Sequence, residues 1–244
     1  MSDTQFHAMA DGRQIAFRKL EGSGPTILFL PGYMSDMAGG KATALFDWAR
    51  EQGRACLLLD YSGCGESTGV FAEGSLSRWR DEVLALADAH TSGPVILVGS
   101  SMGGWLMLLA GLELAQQGRL HALVGIAAAP DFSDWGFSED QKAALRAGET
   151  LFEDNPYGPE PTPTHALFWQ DAERNRLLAG EIPLTCPVRL LHGQDDGDVP
   201  VDTSLRLAAA LRSDDIQVTL VKAGDHRLSR DGDIALLLRT VASL

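Results

Sequence analysis

Three cysteines are few for a chain of 244 residues, and Cys56, Cys64 and Cys186 form no C-x-x-C pair and no metal-ligand spacing. That pattern argues against a metal-binding framework and points to a reducing compartment, which we expect to be the cytoplasm. Positive charge is also scarce. Twenty Lys and Arg stand against 33 Asp and Glu, a formal net charge of -13. An acidic chain of this kind is repelled by nucleic acid and by an anionic membrane surface, and any anionic substrate must be met by a local basic spot. No apolar run approaches the roughly 20 residues of a membrane span. The stretch Met1-Ser2-Asp3-Thr4-Gln5-Phe6-His7 has no basic segment leading into an apolar core. It reads neither as a secretory signal nor as an Arg-rich transit peptide. Repeats, low-complexity tracts and a disordered tail are missing as well.

What is present is an alternation of apolar strands and amphipathic helices. Strands are expected at Gln14 to Lys19, Thr26 to Leu30, Ala55 to Asp60, Pro94 to Val98, Ala122 to Ala127, Pro187 to Leu191 and Gln217 to Val221. Helices are expected at Ala38 to Gln52, Ser75 to His90, Trp105 to about Gln117, Asp202 to Leu211 and Asp233 to Leu244. In the second of these, Trp79, Val83, Leu84, Leu86 and Ala87 make an apolar stripe of roughly 3.6-residue period. Such alternation implies one α/β domain whose mostly parallel sheet is covered on both faces. The interval 131–184 breaks the rhythm. It holds Trp135, Phe137, Phe152, Tyr157, Phe168 and Trp169, with Pro156, Pro159, Pro161 and Pro163. Two helices, Ser138 to Phe152 and Thr164 to Leu178, are expected there around a proline-rich loop. We expect a core of residues 1–130 and 185–244 and a small helical cap, 131–184, lying over the carboxyl edge of the sheet.

Between the apolar runs Pro94-Val95-Ile96-Leu97-Val98 and Trp105-Leu106-Met107-Leu108-Leu109 lies Gly99-Ser100-Ser101-Met102-Gly103. A G-x-S-x-G on a strand–turn–helix is similar to the elbow that presents the serine nucleophile of α/β-hydrolases. A serine hydroxyl needs a base to take its proton and a third group to orient that base. In that fold the acid and then the histidine follow the serine along the chain. The late strand runs into His192-Gly193-Gln194-Asp195-Asp196-Gly197-Asp198-Val199-Pro200, and the final strand into Lys222-Ala223-Gly224-Asp225-His226-Arg227. Carboxylates 195, 196 and 198 compete for the acid. The run resembles the H-G-x-x-D-x-x-V-P of many hydrolases of this fold, which assigns Asp196, with Asp198 next. His226 is the base, and His192, at the strand end, is a structural histidine in that pattern. His7, His90, His121 and His165 lack a strand-end setting.

Acyl transfer also requires donors for the developing oxyanion. One is expected to be the backbone N–H of Met102, and the other that of Tyr33 in Leu30-Pro31-Gly32-Tyr33-Met34, with Met34 as the alternative. The stretch Asp60-Tyr61-Ser62-Gly63-Cys64-Gly65-Glu66-Ser67 is similar to a D-x-x-G-x-G-x-S loop of the same fold and reads as a tight turn rather than as catalytic machinery. Met34, Trp135, Phe137, Phe168 and Trp169 are candidates for lining a substrate pocket. Arg227 and Arg78 are candidate contacts for an anionic leaving group, against the plainer reading of solvated charge.

The runs Pro31-Gly32-Tyr33-Met34-Ser35-Asp36-Met37, Leu97 to Met107, Arg189-Leu190-Leu191-His192-Gly193 and Asp225-His226-Arg227 resemble the mitochondrial acyl-protein thioesterase branch of the α/β-hydrolases, whose vertebrate member is also described as an acyl-glucuronide esterase and a depalmitoylating enzyme. The resemblance runs through nearly the whole chain and is weakest in the cap. It implies hydrolysis of carboxylic esters or thioesters by Ser101, Asp196 and His226, on a small-molecule or acylated-protein substrate, with no metal or cofactor; the lack of a mitochondrial presequence departs from the family and leads us to expect a bacterial or cytosolic relative. The same triad also suits cleavage of a C–C bond or of an aminoacyl peptide bond. In a different class, the fold also serves non-catalytic ligand receptors.

Overall fold

The computed structural model describes residues 3–155 and 158–244. Pro156 and Tyr157, expected in the proline-rich loop, lie outside the described residues, as do the first two residues. The chain opens with strands β1 (Gln5–Ala8), β2 (Gln14–Leu20) and β3 (Ser23–Leu30), then α1 (Gly40–Glu51), β4 (Arg54–Leu59), α2 (Leu76–His90), β5 (Val95–Ser100), α3 (Met102–Gln116) and β6 (Leu120–Ile126). After β6 come α4 (Phe132–Trp135), α5 (Glu139–Arg146), β7 (Leu151–Glu153), β8 (Thr162–Thr164) and α6 (Ala166–Arg174). It closes with β9 (Val188–Gly193), α7 (Asp202–Ala210), β10 (Ile216–Val221) and α8 (Asp231–Ala242).

Eight strands form one sheet in the order β1-β2-β4-β3-β5-β6-β9-β10. β1 and β2 pair antiparallel with each other, and β2 pairs antiparallel with β4. All pairs from β4 to β10 are parallel. Parallel strands need crossover helices, and these cover both faces. Trp79, Val83, Trp105 and Leu106 of α2 and α3 pack on one face, and Leu45, Phe46, Leu237 and Val241 of α1 and α8 on the other. β4 and β5 flank β3, so the winding direction of the chain reverses at β3. In a parallel sheet the crevice at the carboxyl ends of such a reversal is where ligands bind. The loops after β3 and β5 therefore open onto the same crevice.

Two expectations need correction. β1 was not anticipated, because as a short edge strand with three exposed residues it shows no apolar alternation. The helix expected from Ser138 to Phe152 ends at Arg146. Gly148, at φ 94°, turns the chain there, and Leu151, Phe152 and Glu153 pair with Thr164, Pro163 and Thr162 as a two-stranded hairpin. The second expected helix accordingly begins at Ala166 rather than Thr164 and ends at Arg174. The 131–184 segment is thus a mixture of short helices and a hairpin. Among the described residues no helix is long and apolar enough to cross a membrane.

Candidate active site

β5 ends in a turn that only a particular sequence tolerates. Ser101 sits at φ 54°, ψ -119°, outside the regions L-residues favour. It is held there by its own backbone: its N–H donates to Ile126 O at 2.9 Å, and its carbonyl accepts from Gly104 N at 2.8 Å and Ala129 N at 3.1 Å. The flanking glycines allow the crowding. A Cβ on Gly99 would lie 2.3 Å from Gly103 O, and one on Gly103 only 2.1 Å from Leu30 O. The strained turn lifts the serine side chain clear of the sheet at the amino end of α3.

His226 arrives from the loop after β10. Its Nε2 lies 3.1 Å from Ser101 Oγ. Its Nδ1 lies 2.9 Å and 3.1 Å from the two oxygens of Asp196. A carboxylate at Nδ1 requires the ring proton there, which leaves Nε2 to accept the serine hydroxyl. The Asp196 side chain is fully buried, and burial is the largest influence on it, opposing its charge. Hydrogen bonds from His192, His226 and the Val199 N–H outweigh that penalty and hold the carboxyl well below the usual carboxylate range. The N–H groups of Asp198 and Val199 donate to Oδ1 at 2.9 and 2.8 Å. His192 is buried behind it. Its Nδ1 accepts from Ser204 Oγ at 2.7 Å, and its Nε2 points between Val199 O at 3.0 Å and Asp196 Oδ2 at 3.3 Å. Of the competing carboxylates, Asp198 comes only to 4.0 Å of His226 Nε2 and is 42% exposed. Asp195 is tied through its backbone to Gly224 O.

The loop after β3 lies against the serine: the Cβ position on Gly32 is 3.4 Å from Ser101 Cβ. Ser35 N donates to Gly32 O at 3.1 Å, and Met34 occupies φ 54°, so residues 32–35 form a tight turn with Tyr33 and Met34 at its centre. Neither the Tyr33 nor the Met102 N–H is taken up by a backbone carbonyl among the described residues. The loop is anchored from below by residues whose role the sequence did not disclose. Tyr61 donates its hydroxyl to Pro31 O at 3.1 Å, and Asp60 Oδ1 accepts from Met37 N at 2.7 Å. The D-x-x-G-x-G-x-S stretch therefore supports this turn. Its spacing signals a tight loop, but not what the loop holds.

Ser101, Met102 and His226 open on a cavity of about 650 Å³. Met34, Trp135 and Phe137 line it, together with Phe132. Phe168 and Trp169 do not. They are 2% and 3% exposed. Phe168 packs behind the wall against Tyr33 and Phe132, and Trp169 Nε1 donates to Ser133 O at 3.0 Å. Their apolarity stabilises the segment rather than facing the cavity. Arg227 lines the cavity, whereas Arg78 pairs with Glu73. Lys41, at the start of α1, also lines it and donates to Arg227 O. Burial, with the Arg227 charge as a second cause, brings its amine down to about 8. Glu153, Asp154, Asn155, Thr162 and Thr164 add a polar rim from the hairpin. Among the described residues no group of three or more His, Cys, Asp or Glu side chains is arranged to hold a metal ion.

Comparison with known proteins identifies the family and the fold. A family model described as "Alpha/beta hydrolase family" matches residues 27–235. The human mitochondrial palmitoyl-protein thioesterase ABHD10 is 39% identical over 239 residues, covering 94% of this chain and 76% of that protein. Among solved structures, alpha/beta hydrolase domain-containing protein 10 from mouse superposes with a TM-score of 0.91 at 38% identity, covering 99% of this chain and 98% of that one. A putative hydrolase from Agrobacterium vitis S4 gives 0.92 at 37% identity, with the same coverage of 99% and 98%.

Proposed function

The chain belongs to the alpha/beta hydrolase family and is an ester or thioester hydrolase, and on that premise we propose that Ser101 is its nucleophile, His226 its general base and acid, and Asp196 the group that orients His226. The single observation carrying this assignment is the unbroken path from Ser101 Oγ through the imidazole to the buried carboxylate, with steps of 3.1 and 2.9 Å.

In the first half-reaction His226 Nε2 takes the hydroxyl proton as Ser101 Oγ attacks the acyl carbonyl. The carbonyl oxygen becomes an oxyanion facing the N–H groups of Tyr33 and Met102. Collapse expels the alcohol or thiol, which takes the proton from His226, and leaves the acyl group on Ser101. In the second half-reaction water gives a proton to His226 and attacks the same carbonyl. Breakdown returns the proton to Ser101 and releases the acid. Asp196 remains ionised and stabilises the imidazolium in both halves.

The relatives are named palmitoyl-protein thioesterases. With Phe132, Trp135 and Phe137 beside the nucleophile, we assign the apolar wall to the acyl chain and the rim with Lys41 and Arg227 to the leaving group, carried by a small molecule or a protein. Segment 131–184 then acts as a cap over the core. Cys56, Cys64 and Cys186 are free thiols, which supports a reducing compartment. The named relatives are mitochondrial; for this chain we propose the cytoplasm.

A fluorophosphonate probe tests the assignment: it adds to the wild-type protein at Ser101, and the adduct and the hydrolysis of p-nitrophenyl esters disappear together in Ser101→Ala. Hydrolysis persisting in Ser101→Ala refutes it. A kcat/KM series on esters and thioesters of increasing chain length then reads the acyl wall: a rise with length supports it, and a preference for acetyl groups removes it.

A further inference from the structure

Tyr33 faces two ways. Its backbone N–H belongs to the turn against Ser101, and Tyr33 is among the residues lining the cavity, while its side chain runs into a cluster of aromatic rings. There the ring packs with centroids 4.9 Å from Phe168 and 5.1 Å from Phe71. The hydroxyl donates to Pro163 O at 2.9 Å, a contact across 130 residues. Pro163 is the middle residue of β8, and its neighbours Thr162 and Thr164 line the catalytic cavity. One three-residue strand thus touches the space where substrate sits and holds the residue whose amide faces the oxyanion.

Beside this ring packing, the other hydrogen bonds that tie the turn to distant described residues lie at its ends. Pro31 O is held by Tyr61, and Met37 N by Asp60. Between them the centre of the turn contains Met34 at φ 54°, a conformation costing about 1–2 kcal/mol for an L-residue. A turn with a strained centre keeps its shape only where its surroundings fix it. The contact supplied there by a cap strand is the Tyr33 hydroxyl.

We propose that the Tyr33 hydroxyl is the positioning contact through which the β7–β8 hairpin sets the oxyanion hole, so that contact between substrate and hairpin is expressed in turnover rather than in binding alone. This rests on the assignment of Ser101 as nucleophile and of the Tyr33 amide as oxyanion donor. The phenol takes no part in the chemistry. It acts by holding its own backbone.

The test compares wild type with Tyr33→Phe, which keeps the ring and removes only the tether. On p-nitrophenyl butyrate, kcat is expected to fall about tenfold, less than the 10²–10³ that follows loss of a whole donor. KM should stay within about twofold, the signature of an interaction made in the transition state. Thr162→Pro, which makes three prolines in succession with Pro161 and Pro163 and loosens the hairpin, is expected to lower kcat by a similar factor. The two together should lower it no further, because they break one coupling. Unchanged kcat in Tyr33→Phe, a loss confined to KM, or fully additive losses in the double variant would each overturn the proposal. Fluorophosphonate labelling separates this from the prior assignment. Wild type that fails to form the Ser101 adduct overturns both, whereas normal labelling with unchanged kcat in Tyr33→Phe overturns the tether alone.

Discussion

The loops at the carboxyl ends of β5, β9 and β10 and the segment between β6 and β9 meet across one cavity, yet they are built in different ways. The loops are short, and each leaves a parallel strand of the main sheet. Their geometry is set by local chemistry: the elbow by its glycines, and the Asp196 carboxylate by the N–H groups two and three residues on. The segment is assembled from short elements fastened by contacts between distant residues. Asp131 accepts from Leu177 N and Leu178 N, both at 2.8 Å, and so clasps its two ends. Asp171 accepts from Ser77 N and Oγ at the start of α2, and Trp105 Nε1 donates to Asn175 O at 3.0 Å. The residues to which we assign the chemistry thus depend on their neighbours in sequence, and residues that shape the cavity depend on the whole tertiary structure.

The largest effect that separates the two regions is expected at Asp196. Asp196→Asn keeps the shape but leaves His226 without a carboxylate at Nδ1, and kcat should fall about 10⁴-fold. The same substitution has a pH signature. The native carboxyl is held below its ordinary range by hydrogen bonds that outweigh burial. Its stabilising contribution is therefore complete above the unfolded value of about 4 and is lost as pH falls through and below it. Urea midpoints between pH 3 and pH 7 should show the advantage of wild type over Asp196→Asn shrinking on the acid side. Near-wild-type turnover in the variant, or a pH-independent gap, would break the comparison at its catalytic end.

A pair of aromatic truncations sharpens it at the other end. Phe168 is 2% exposed and packs on Tyr33, Trp79 and Phe132, so Phe168→Ala should cost about 3–5 kcal/mol in denaturant unfolding. Phe137 lines the cavity and is only half-buried. Phe137→Ala should cost under about 1 kcal/mol while raising KM for long acyl esters several-fold. Equal stability losses at the two positions would mean that the wall and the packing behind it are one layer.

This division explains what could be read from the chain. That Ser101, Asp196 and His226, our proposed triad, would come together was legible because each lies in a motif whose spacing its own backbone requires. The parallel sheet was legible because each buried strand is a short apolar run. Phe168 and Trp169 carried the same apolar signal as Trp135 and Phe137, and a sequence does not say whether an aromatic faces a cavity or the layer beneath it. The β7–β8 hairpin was masked by its setting: Leu151 and Phe152 follow a helical pattern, and Gly148 alone marks the turn between them. Asp60 and Tyr61 stood in a recognised loop, but their partners Met37 and Pro31 become neighbours only when β3 and β4 pair.

Lys41 provides the smallest and most selective test, since it belongs to the sheet side of the cavity yet has no local motif to stabilise it. Burial chiefly, and the Arg227 charge next, lower its amine to about 8, with Asp225 and Asp233 pulling the other way. For a base whose folded value lies below its unfolded value of about 10.4, the unfolded chain binds more protons between those two pH values. Stability from this group therefore rises with pH across about 8 to 10.4 and is lowest where the amine is charged in both states. Lys41→Met should raise stability at pH 7 by about 1 kcal/mol, the ammonium's remaining solvent contact keeping the gain small. The gain should fade as pH is raised through that window. Arg227 O is not left bare by the change, because Ser229 Oγ also donates to it at 3.0 Å. Denaturant midpoints of the two proteins at pH 7, 9 and 10.5 decide the matter. A variant less stable than wild type at pH 7 would show that the lysine holds the Arg227 loop in place, and the cavity's sheet side would then be fastened by long-range contacts just as segment 131–184 is.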